Sequence, residues 1–366
     1  MTAALLIFVG TYTNKENASQ GIYAVHFNPA TGAFSELALA AETRNPTFLE
    51  MNPNGRVLYA LGEGAFNGGT GGGAVAFNFD STTGKLSLLN TEPTDGLGVA
   101  HLKADATGRT LILASYNGGD VTAFPLDAST GRIGARSSKV KQTGTVGPNA
   151  ARQDKPHPHS ITLSPDNRFA YVCDLGLDKI FSYRLDPAAA TLTANSETDT
   201  APGAGPRHAN FSADGRFFYV LNELNGTITT YAASASSGML TSRQTVATLP
   251  SDFKGDNTCA EIRLSPDGRF VYGSNRGHDS IAVFSRNKTD GTLTLVEIVP
   301  CGGKHPRNFN LTPDGRWLIC ASRDTNNLVS FCVDALTGRL TASGHSVTIP
   351  APVCVLFAPA PTSDGK

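Results

Sequence analysis

Side chains suited to hydrolytic chemistry recur along this 366-residue sequence. Short apolar segments come in consecutive pairs, and each of these side chains lies just before the first segment of a pair or just after the second. The candidates are His101, His159, Arg207, His208, Glu223, Glu261, Asn275, Arg276, Arg307 and Arg323. Histidine and glutamate can act as bases, and arginine can stabilise an oxyanion or hold a phosphate or carboxylate. A lone histidine in a loop is usually a hydrogen-bonded structural residue, so the question is whether the fold brings this set together.

The apolar segments that flank these residues belong to a repeat. Each copy has a short apolar strand, a turn that ends in Gly-Arg or Asn-Arg, and a second apolar strand. The turn residues that precede the arginine are Gly55, Gly108, Asn167, Gly215, Gly268 and Gly315, so the copies recur every 47 to 59 residues. A turn such as Pro-Asp-Gly between alternating apolar runs predicts a β-hairpin, with glycine or asparagine supplying the positive φ angle.

A complete repeat contains four strands. A third strand such as Ser280–Arg286 follows each hairpin, and a Thr-Gly-x-Leu type of turn such as Thr337–Leu340 leads to the fourth. Four antiparallel strands in about fifty residues form one blade of a β-propeller. The glycine-rich stretch Gly68–Gly73 is predicted to be an expanded loop within the first complete blade rather than a domain boundary.

The two ends of the chain supply a seventh blade. Pro352–Phe357 has the pattern of an innermost strand, and Leu5–Tyr12, Gly21–Phe27 and the segment after Gly32 have the pattern of the other three. Closing the ring in this way leaves no open sheet edge. The sequence therefore predicts one all-β domain over residues 1–366, a seven-bladed β-propeller with four antiparallel strands per blade, whose last blade is closed by N- and C-terminal strands.

Composition excludes several classes of function. Thirty basic and thirty-one acidic side chains give a net charge of -1, which offers no attraction to nucleic acid or to an anionic membrane. The apolar run Ala3–Val9 has no basic segment before it, no cleavage site after it and too few residues to cross a bilayer, so we expect a buried strand and a cytoplasmic protein. The six cysteines lack CxxC or metal-ligand spacing, and we expect them to be reduced, mostly packed thiols.

Propeller geometry predicts that the ten candidate residues converge. Strands one and two of a blade are antiparallel, so the start of the first and the end of the second lie at the same axial mouth. The arginines of the hairpin turns lie on the opposite face and repeat in every blade, which marks them as structural (Arg56, Arg109, Arg168, Arg216, Arg269 and Arg316). The mouth residues change from blade to blade while the scaffold repeats, so scaffold packing does not account for them.

Several phrases in the sequence also resemble a known family. They are FVGTYTN, HPHSITLSPD, GAGPRHANFS with the later NEL, AEIRLSPDGRFVYGSNRG and HPRNFNLTPDGRWL, and together they span about residues 5 to 357. The chain looks like a member of the seven-bladed lactonase family, which includes propeller-type 6-phosphogluconolactonases of the pentose phosphate pathway. The resemblance implies hydrolysis of 6-phosphoglucono-1,5-lactone or a related, anionic sugar lactone without a metal or other cofactor. It carries over His159, Arg207, His208, Glu223, Glu261, Arg276 and Arg307 as residues of the mouth.

A mechanistic hypothesis assigns roles to the set. We expect His208 or Glu223 to be the base that activates water, with each orienting the other, and Arg207 or Arg276 to stabilise the oxyanion. Arg307 and Arg323 would hold a phosphate or carboxylate through paired hydrogen bonds. The remaining residues of the set, His101, His159, Glu261 and Asn275, would bind the substrate.

Three other functions stay open at this point. A muconate-type cycloisomerase that forms lactones would use the same arginines to hold carboxylates. A non-enzymatic binding propeller would present exposed aromatic anchors, and the mouth has few aromatic residues. A metal-dependent lactonase would need clustered carboxylate oxygens, whereas the acidic residues here are interleaved with arginines. The sequence does not fix the oligomeric state or the phosphorylation of the substrate.

Overall fold

The computed structural model describes residues 4–13, 18–64, 66 and 71–359, and within these ranges the regular elements are twenty-eight β-strands. The strands form seven antiparallel sheets of four strands each, which are the blades of a β-propeller. The predicted fold is confirmed. Among the described residues we find no helix long and apolar enough to cross a membrane.

The strands follow the chain from blade to blade. The chain starts with β1 (Leu5–Thr11), β2 (Gly21–Asn28) and β3 (Ala33–Glu42). The first complete blade has β4 (Leu49–Met51), β5 (Val57–Leu61), β6 (Gly73–Asp80) and β7 (Lys85–Pro93). The second has β8 (Val99–Ala104), β9 (Thr110–Ser115), β10 (Asp120–Pro125) and β11 (Ser138–Lys141). The third has β12 (Pro158–Leu163), β13 (Phe169–Asp174), β14 (Lys179–Asp186) and β15 (Thr191–Asp199).

The second half of the ring repeats the same order. The fourth blade has β16 (Pro206–Phe211), β17 (Phe217–Asn222), β18 (Thr227–Ala233) and β19 (Leu240–Ala247). The fifth has β20 (Thr258–Leu264), β21 (Phe270–Arg276), β22 (Ser280–Arg286) and β23 (Leu293–Pro300). The sixth has β24 (Pro306–Leu311), β25 (Trp317–Ser322), β26 (Asn327–Val333) and β27 (Leu340–Thr348), and the last strand of the chain is β28 (Pro352–Phe357).

The seventh blade is assembled from both ends of the chain, as predicted. Its strand order is β28-β1-β2-β3, with Val9 opposite Val355 in the register of the β1–β28 pair. Val9 and Val355 are buried in one apolar cluster with Ile319 and Trp317 of the sixth blade. Closure therefore buries apolar side chains as well as satisfying the backbone hydrogen bonds of the innermost strand.

The hairpin turns adopt the predicted conformation on the face opposite the mouth. Gly215 and Gly268 have φ angles of 70° and 68°, and Asn167 takes the same left-handed region with φ 59°. The arginines that follow these turns are exposed, and they also join the blades. Arg216, for example, donates a hydrogen bond of 2.8 Å to the carbonyl of Lys288 in the fifth blade.

Side-chain amides link the innermost strands around the axis. Asn210 donates through Nδ2 to the carbonyl of Ile262 at 2.6 Å, which connects the fourth and fifth blades. Asn310 donates in the same way to the carbonyl of Val355 at 3.1 Å, which connects the sixth and seventh. These bonds fix the separation of neighbouring inner strands in the second half of each strand, and so hold the inner ring that carries the residues of the mouth.

Two smaller predictions concern the glycine-rich loop and the thiols. Residues 68–70 of the predicted expanded loop lie outside the described residues, while Phe66 and Gly71 form a β-bridge. All six cysteines are free, and five of them are buried, with Cys332 exposed. The expectation of mostly packed thiols is confirmed.

Candidate active site

A cavity of about 320 Å³ opens at the predicted axial mouth. Among the residues that line it are Tyr12, Phe48, Glu63, Tyr116, Arg152, His159, Arg207, His208, Glu223, Arg276, Arg307 and Asn308. Six of the ten residues singled out in the sequence are in this set: His159, Arg207, His208, Glu223, Arg276 and Arg307. Four lining arginines face two lining glutamates, so the cavity carries an excess of positive charge although the whole chain is close to neutral.

Irregular pairing at the start of the inner strands aims these residues into the cavity. In β12, β16 and β24 the antiparallel register shifts by one residue directly after the first proline. The residues left without a ladder partner are His159, Arg207 and Arg307, and all three line the cavity. A bulge of this kind turns a strand and redirects a side chain, which explains how the neighbours Arg207 and His208 both reach one site.

Four predicted residues lie outside this cavity. His101 and Glu261 line a second chamber of about 140 Å³, and His208 and Phe48 line both chambers and so separate them. Asn275 is fully buried, where its amide nitrogen donates to the carbonyl of Thr248 at 2.9 Å.

The fourth, Arg323, contacts its neighbour Asp324 at 2.6 Å and is absent from the cavity lining. Neither Asn275 nor Arg323 therefore lines this cavity, and their expected contact with substrate stays a prediction. Strand alternation gives the reason for Asn275. Arg276, the adjacent residue of β21, faces the cavity, so the side chain of Asn275 must point to the other side of the sheet.

Glu223 lies at the centre of a cationic cluster. Its Oε2 atom is 2.8 Å from Arg207 Nε and 3.1 Å from Arg276 Nη2, and its Oε1 atom is 2.5 Å from Arg152 Nη2. His159 Nε2 is 4.0 Å away. Burial alone would raise the pKa of Glu223, but Arg276 and Arg207, with smaller contributions from His159 and Arg152, hold it well below its usual range. The residue is therefore an ionised carboxylate that fixes three guanidinium groups.

His208 is oriented by Glu261 and not by Glu223, which corrects the sequence-based hypothesis. His208 Nδ1 lies 3.2 Å from Glu261 Oε2, and the same carboxyl accepts hydrogen bonds from Asn308 Nδ2 at 2.5 Å and from the Ile262 amide at 3.1 Å. A carboxylate only accepts hydrogen bonds, so Nδ1 carries the proton of the imidazole. His208 Nε2 is then the basic nitrogen, and within the described residues it has no hydrogen-bond partner.

The surroundings of His208 keep it neutral. Burial and the nearby charge of Arg207, with further contributions from Arg263 and Arg307, lower the pKa of His208 well below its usual value of 6.5. Burial is also the largest cause that lowers the pKa of His159. An imidazole held neutral by its neighbours is ready to accept a proton at physiological pH.

Arg307 differs from the other three arginines of the cavity. Its Nη2 atom donates to the hydroxyl of Tyr12 at 3.0 Å, and its guanidinium lies 5.5 Å from the centre of the Tyr12 ring. Among the described residues no carboxylate comes within ion-pair distance of it, whereas Arg152, Arg207 and Arg276 all contact Glu223. Of the four arginines that line the cavity, Arg307 is therefore the one whose positive charge is least neutralised by a carboxylate.

Sequence reasoning missed two residues that contribute to the charge and shape of the site. Tyr12 follows β1, the second strand of the seventh blade, so the rule that strand two ends at the mouth could have found it. Arg152 comes from the long connection between β11 and β12, and no strand pattern predicts where a side chain of such a loop points. Its hydrogen bond to Tyr116 Oη at 3.4 Å and its contact with Glu223 hold it over the cavity.

Over the described ranges, no group of three or more His, Cys, Asp or Glu residues has an arrangement that could hold a metal ion. Glu223 and Glu261 contact cations or amides instead.

Comparison with known proteins adds independent evidence. Residues 6–357 match the family model described as lactonase, 7-bladed beta-propeller. The chain is 37% identical over 350 residues to a 6-phosphogluconolactonase of Bacillus subtilis (strain 168), covering 96% of this chain and 97% of the relative. It is 34% identical to a 6-phosphogluconolactonase of Formosa agariphila, covering 91% and 94%. The solved structure of the periplasmic gluconolactonase of Pseudomonas aeruginosa has a TM-score of 0.91 and 32% identity, covering 98% of this chain and all of that one.

Proposed function

We propose that this chain, which belongs to the seven-bladed β-propeller lactonase family, hydrolyses 6-phosphoglucono-1,5-lactone to 6-phosphogluconate. The observation that carries the proposal is the pairing of His208 with Glu261 beside a cavity lined by four arginines. A neutral base next to fixed cations is what ester hydrolysis of an anionic substrate needs. A cavity of about 320 Å³ lies at the small end of the range of small-molecule sites and suits a single sugar ring.

His208 is the general base in this proposal. As water attacks the lactone carbonyl, His208 Nε2 takes its proton, and the carboxylate of Glu261 stabilises the imidazolium that forms. Arg207, which is almost fully buried at the bulge of β16, lies next to His208 and offers its positive charge to the developing oxyanion. Preorganised charge in a site that excludes water is the largest single source of stabilisation in such reactions.

Glu223 has a different role in this proposal from that of the general base, which the sequence had left open for it. Both oxygens of the Glu223 carboxylate contact guanidinium groups, so neither is free to take a proton from water. We assign to Glu223 the positioning of the three arginines that it contacts. His159, at 4.0 Å from Glu223, lies within the same network and binds substrate in this proposal.

Arg307 is proposed to hold the 6-phosphate. It faces the cavity, and its charge is not neutralised by a carboxylate of the described chain, so a phosphate oxygen can take up its free donors. Hydrogen bonds between charged partners contribute about 1.5–3 kcal/mol each, enough for a selectivity of roughly tenfold to a hundredfold. A carboxylate at the corresponding position of another substrate would be held less strongly, because it brings one charge in place of two.

The reaction is proposed to need no metal. A divalent cation beside Glu223 would be repelled by Arg152, Arg207 and Arg276, which already occupy the oxygens of that carboxylate. A cytoplasmic location belongs to the same proposal, since a phosphorylated sugar lactone is too highly charged to cross a membrane unaided and would be met in the compartment where it forms.

The test is a substrate panel measured by pH-stat against the uncatalysed rate. We expect the purified protein to hydrolyse 6-phosphoglucono-1,5-lactone with a higher kcat/KM than glucono-1,5-lactone, and to be unaffected by a chelator. A cis,cis-muconate substrate should not be turned over, although the same arginines could hold its carboxylates. Conversion of muconate without lactone hydrolysis would establish the cycloisomerase alternative, and loss of activity on chelation would refute metal independence.

The phosphate assignment has a matched control within the chain. Arg307→Gln should raise KM for the phosphorylated lactone by roughly tenfold or more and leave glucono-1,5-lactone nearly unchanged. Arg323→Gln, which removes an arginine of the same face that lies outside the cavity lining, should change neither. An equal loss on both substrates in the Arg307 variant would contradict a role in phosphate binding.

A further inference from the structure

Opening a lactone requires a second proton transfer in addition to the one that activates water. When the bond between C1 and the ring oxygen breaks, the ring oxygen leaves as an alkoxide, which is a poor leaving group unless it is protonated. In a 6-phosphorylated 1,5-lactone the ring oxygen is bonded to C5, and C5 carries the arm that ends in the phosphate. A proton donor for this oxygen must therefore lie on the side of the cavity that holds the phosphate.

Glu63 is the carboxyl group on that side. It follows β5, at the end of the second strand of the first complete blade, and it lines the cavity. Asn45 fixes its backbone, because Asn45 Nδ2 donates to the carbonyl of Glu63 at 3.1 Å and the Glu63 amide donates to the carbonyl of Asn45 at 3.5 Å. No hydrogen bond or ion pair joins its carboxyl group to another described residue, and the charge that acts on it is that of Arg307.

The order of blades divides the mouth into two sides. His208, on the fourth blade, is three blades from Glu63 around a ring of seven, the largest separation that such a ring allows. Arg307, on the sixth blade, and Tyr12, on the seventh, continue directly to Glu63 on the first. Glu63 lines the same cavity as Arg307 and lies near enough to interact with its charge, so a lactone whose phosphate contacts Arg307 brings its C5 arm, and with it the ring oxygen, towards Glu63.

We infer that Glu63 is the general acid that protonates the departing ring oxygen. The inference rests on the proposed lactone hydrolysis and completes its proton balance. His208 takes one proton from the attacking water, the C1–O bond breaks, and the ring oxygen takes a proton from Glu63 to become the C5 hydroxyl. The product ionises to a carboxylate, and exchange with solvent returns His208 to its neutral form and Glu63 to its protonated form.

The electrostatics of the site agree with this role. Burial raises the pKa of Glu63 above its usual value, and the charge of Arg307 opposes that rise in part. A bound phosphate neutralises Arg307, so the substrate itself removes the interaction that favours ionised Glu63. Phosphorylated lactones should for this reason gain in kcat as well as in KM over their unphosphorylated counterparts.

The experiment compares Glu63→Gln with wild type on 6-phosphoglucono-1,5-lactone across a pH series. We expect kcat to fall by roughly 10²-fold with KM changed less than about threefold, because the lost group acts in the transition state. Wild-type kcat should decline as pH rises through the pKa of Glu63, and this alkaline decline should be absent from the variant.

The control and the contradicting outcomes keep the inference separate from the proposed function. Glu92→Gln changes a half-buried glutamate on the outer strand of the same blade, and it should behave as wild type. If wild type hydrolyses the lactone but Glu63→Gln keeps its kcat, or loses kcat with the alkaline decline intact, Glu63 is not the acid. If wild type hydrolyses no lactone at all, the proposed function fails and the inference fails with it.

Discussion

If the imidazole of His208 had its ordinary pKa, part of the protein would carry it protonated near pH 6.5. That protonated fraction could not accept a proton from water. Burial and the charge of Arg207 lower the pKa of His208 well below 6.5, so the basic form persists to lower pH. We therefore predict that the acid limb of the kcat/KM profile lies below pH 6.5, with activity falling as pH drops through the lowered pKa. A profile that loses half its activity at or above pH 6.5 would contradict this assignment.

Substitution of His208 should lower the rate of lactone hydrolysis. His208→Ala should lower kcat/KM by roughly 10²-fold or more, and Glu261→Gln should lower it by a smaller factor, since it removes only the partner that orients the imidazole. The exposed His345 on β27 provides a control, and His345→Ala should retain full activity. If His208→Ala stays active while His159→Ala loses both its activity and the acid limb of its kcat/KM profile, the base is His159.

Glu223 is predicted to act mainly through stability and charge organisation. Glu223→Gln leaves Arg152, Arg207 and Arg276 without their shared carboxylate, and breaking a buried ion pair in this way costs about 3–5 kcal/mol. We expect a clearly lowered midpoint of urea unfolding together with reduced activity, and an acid limb in the pH profile that does not move. Unchanged stability with loss of the acid limb would instead identify Glu223 as the base.

The elements that aim these residues were only partly predictable. Turn signals and apolar alternation gave the strands, the seven blades and the split seventh blade, because each depends on local sequence. The bulges that direct His159, Arg207 and Arg307 into the cavity depend on a one-residue shift in pairing with the second strand, which the sequence pattern does not encode. For this reason the rule that selected the mouth residues also selected Asn275, whose side chain points away, and could not place Arg152.

The turn between the third and fourth strands is predicted to lock each blade to the one before it. Gly291 has φ 79°, and a methyl group added there would lie 2.3 Å from Phe217 of the preceding blade, whose Tyr219 also donates to the Gly291 carbonyl at 2.9 Å. Gly291→Ala should lower the melting temperature through both backbone strain and a clash that costs about 1–3 kcal/mol.

Gly344→Ala separates these two effects. Gly344 has nearly the same φ angle, 82°, but no atom lies within 4 Å of the added methyl group, so only the backbone strain remains. The melting temperature of Gly291→Ala should therefore fall further than that of Gly344→Ala, with both variants active below their transitions. Equal decreases would show that the contact with Phe217 contributes nothing to the junction between blades.

At the scale of the whole molecule, the ring and the site depend on each other through closure. Asn308 donates to Glu261 and accepts the amide of Val355 at 2.8 Å, so the strand that closes the ring also braces the carboxylate that orients His208. Val353 of β28 lines the cavity, as does Tyr12, which follows the partner strand β1. A propeller that fails to close should therefore lose its catalytic geometry as well as its stability.

Truncation tests this coupling. A chain that ends at Ala351 lacks β28, which exposes the edge of β1 and the apolar side chains around Val9, and it should aggregate or melt well below wild type without lactone hydrolysis. A chain that ends at Pro359 keeps β28 and the hydrogen bond from the Ala358 amide to the Leu6 carbonyl, so it should match wild type. Size-exclusion chromatography, thermal melting and the lactone assay measure the three properties together. Full activity in the shorter chain would mean that the active site forms without closure of the ring, because the six complete blades would then suffice to hold His208, Glu261 and Arg307.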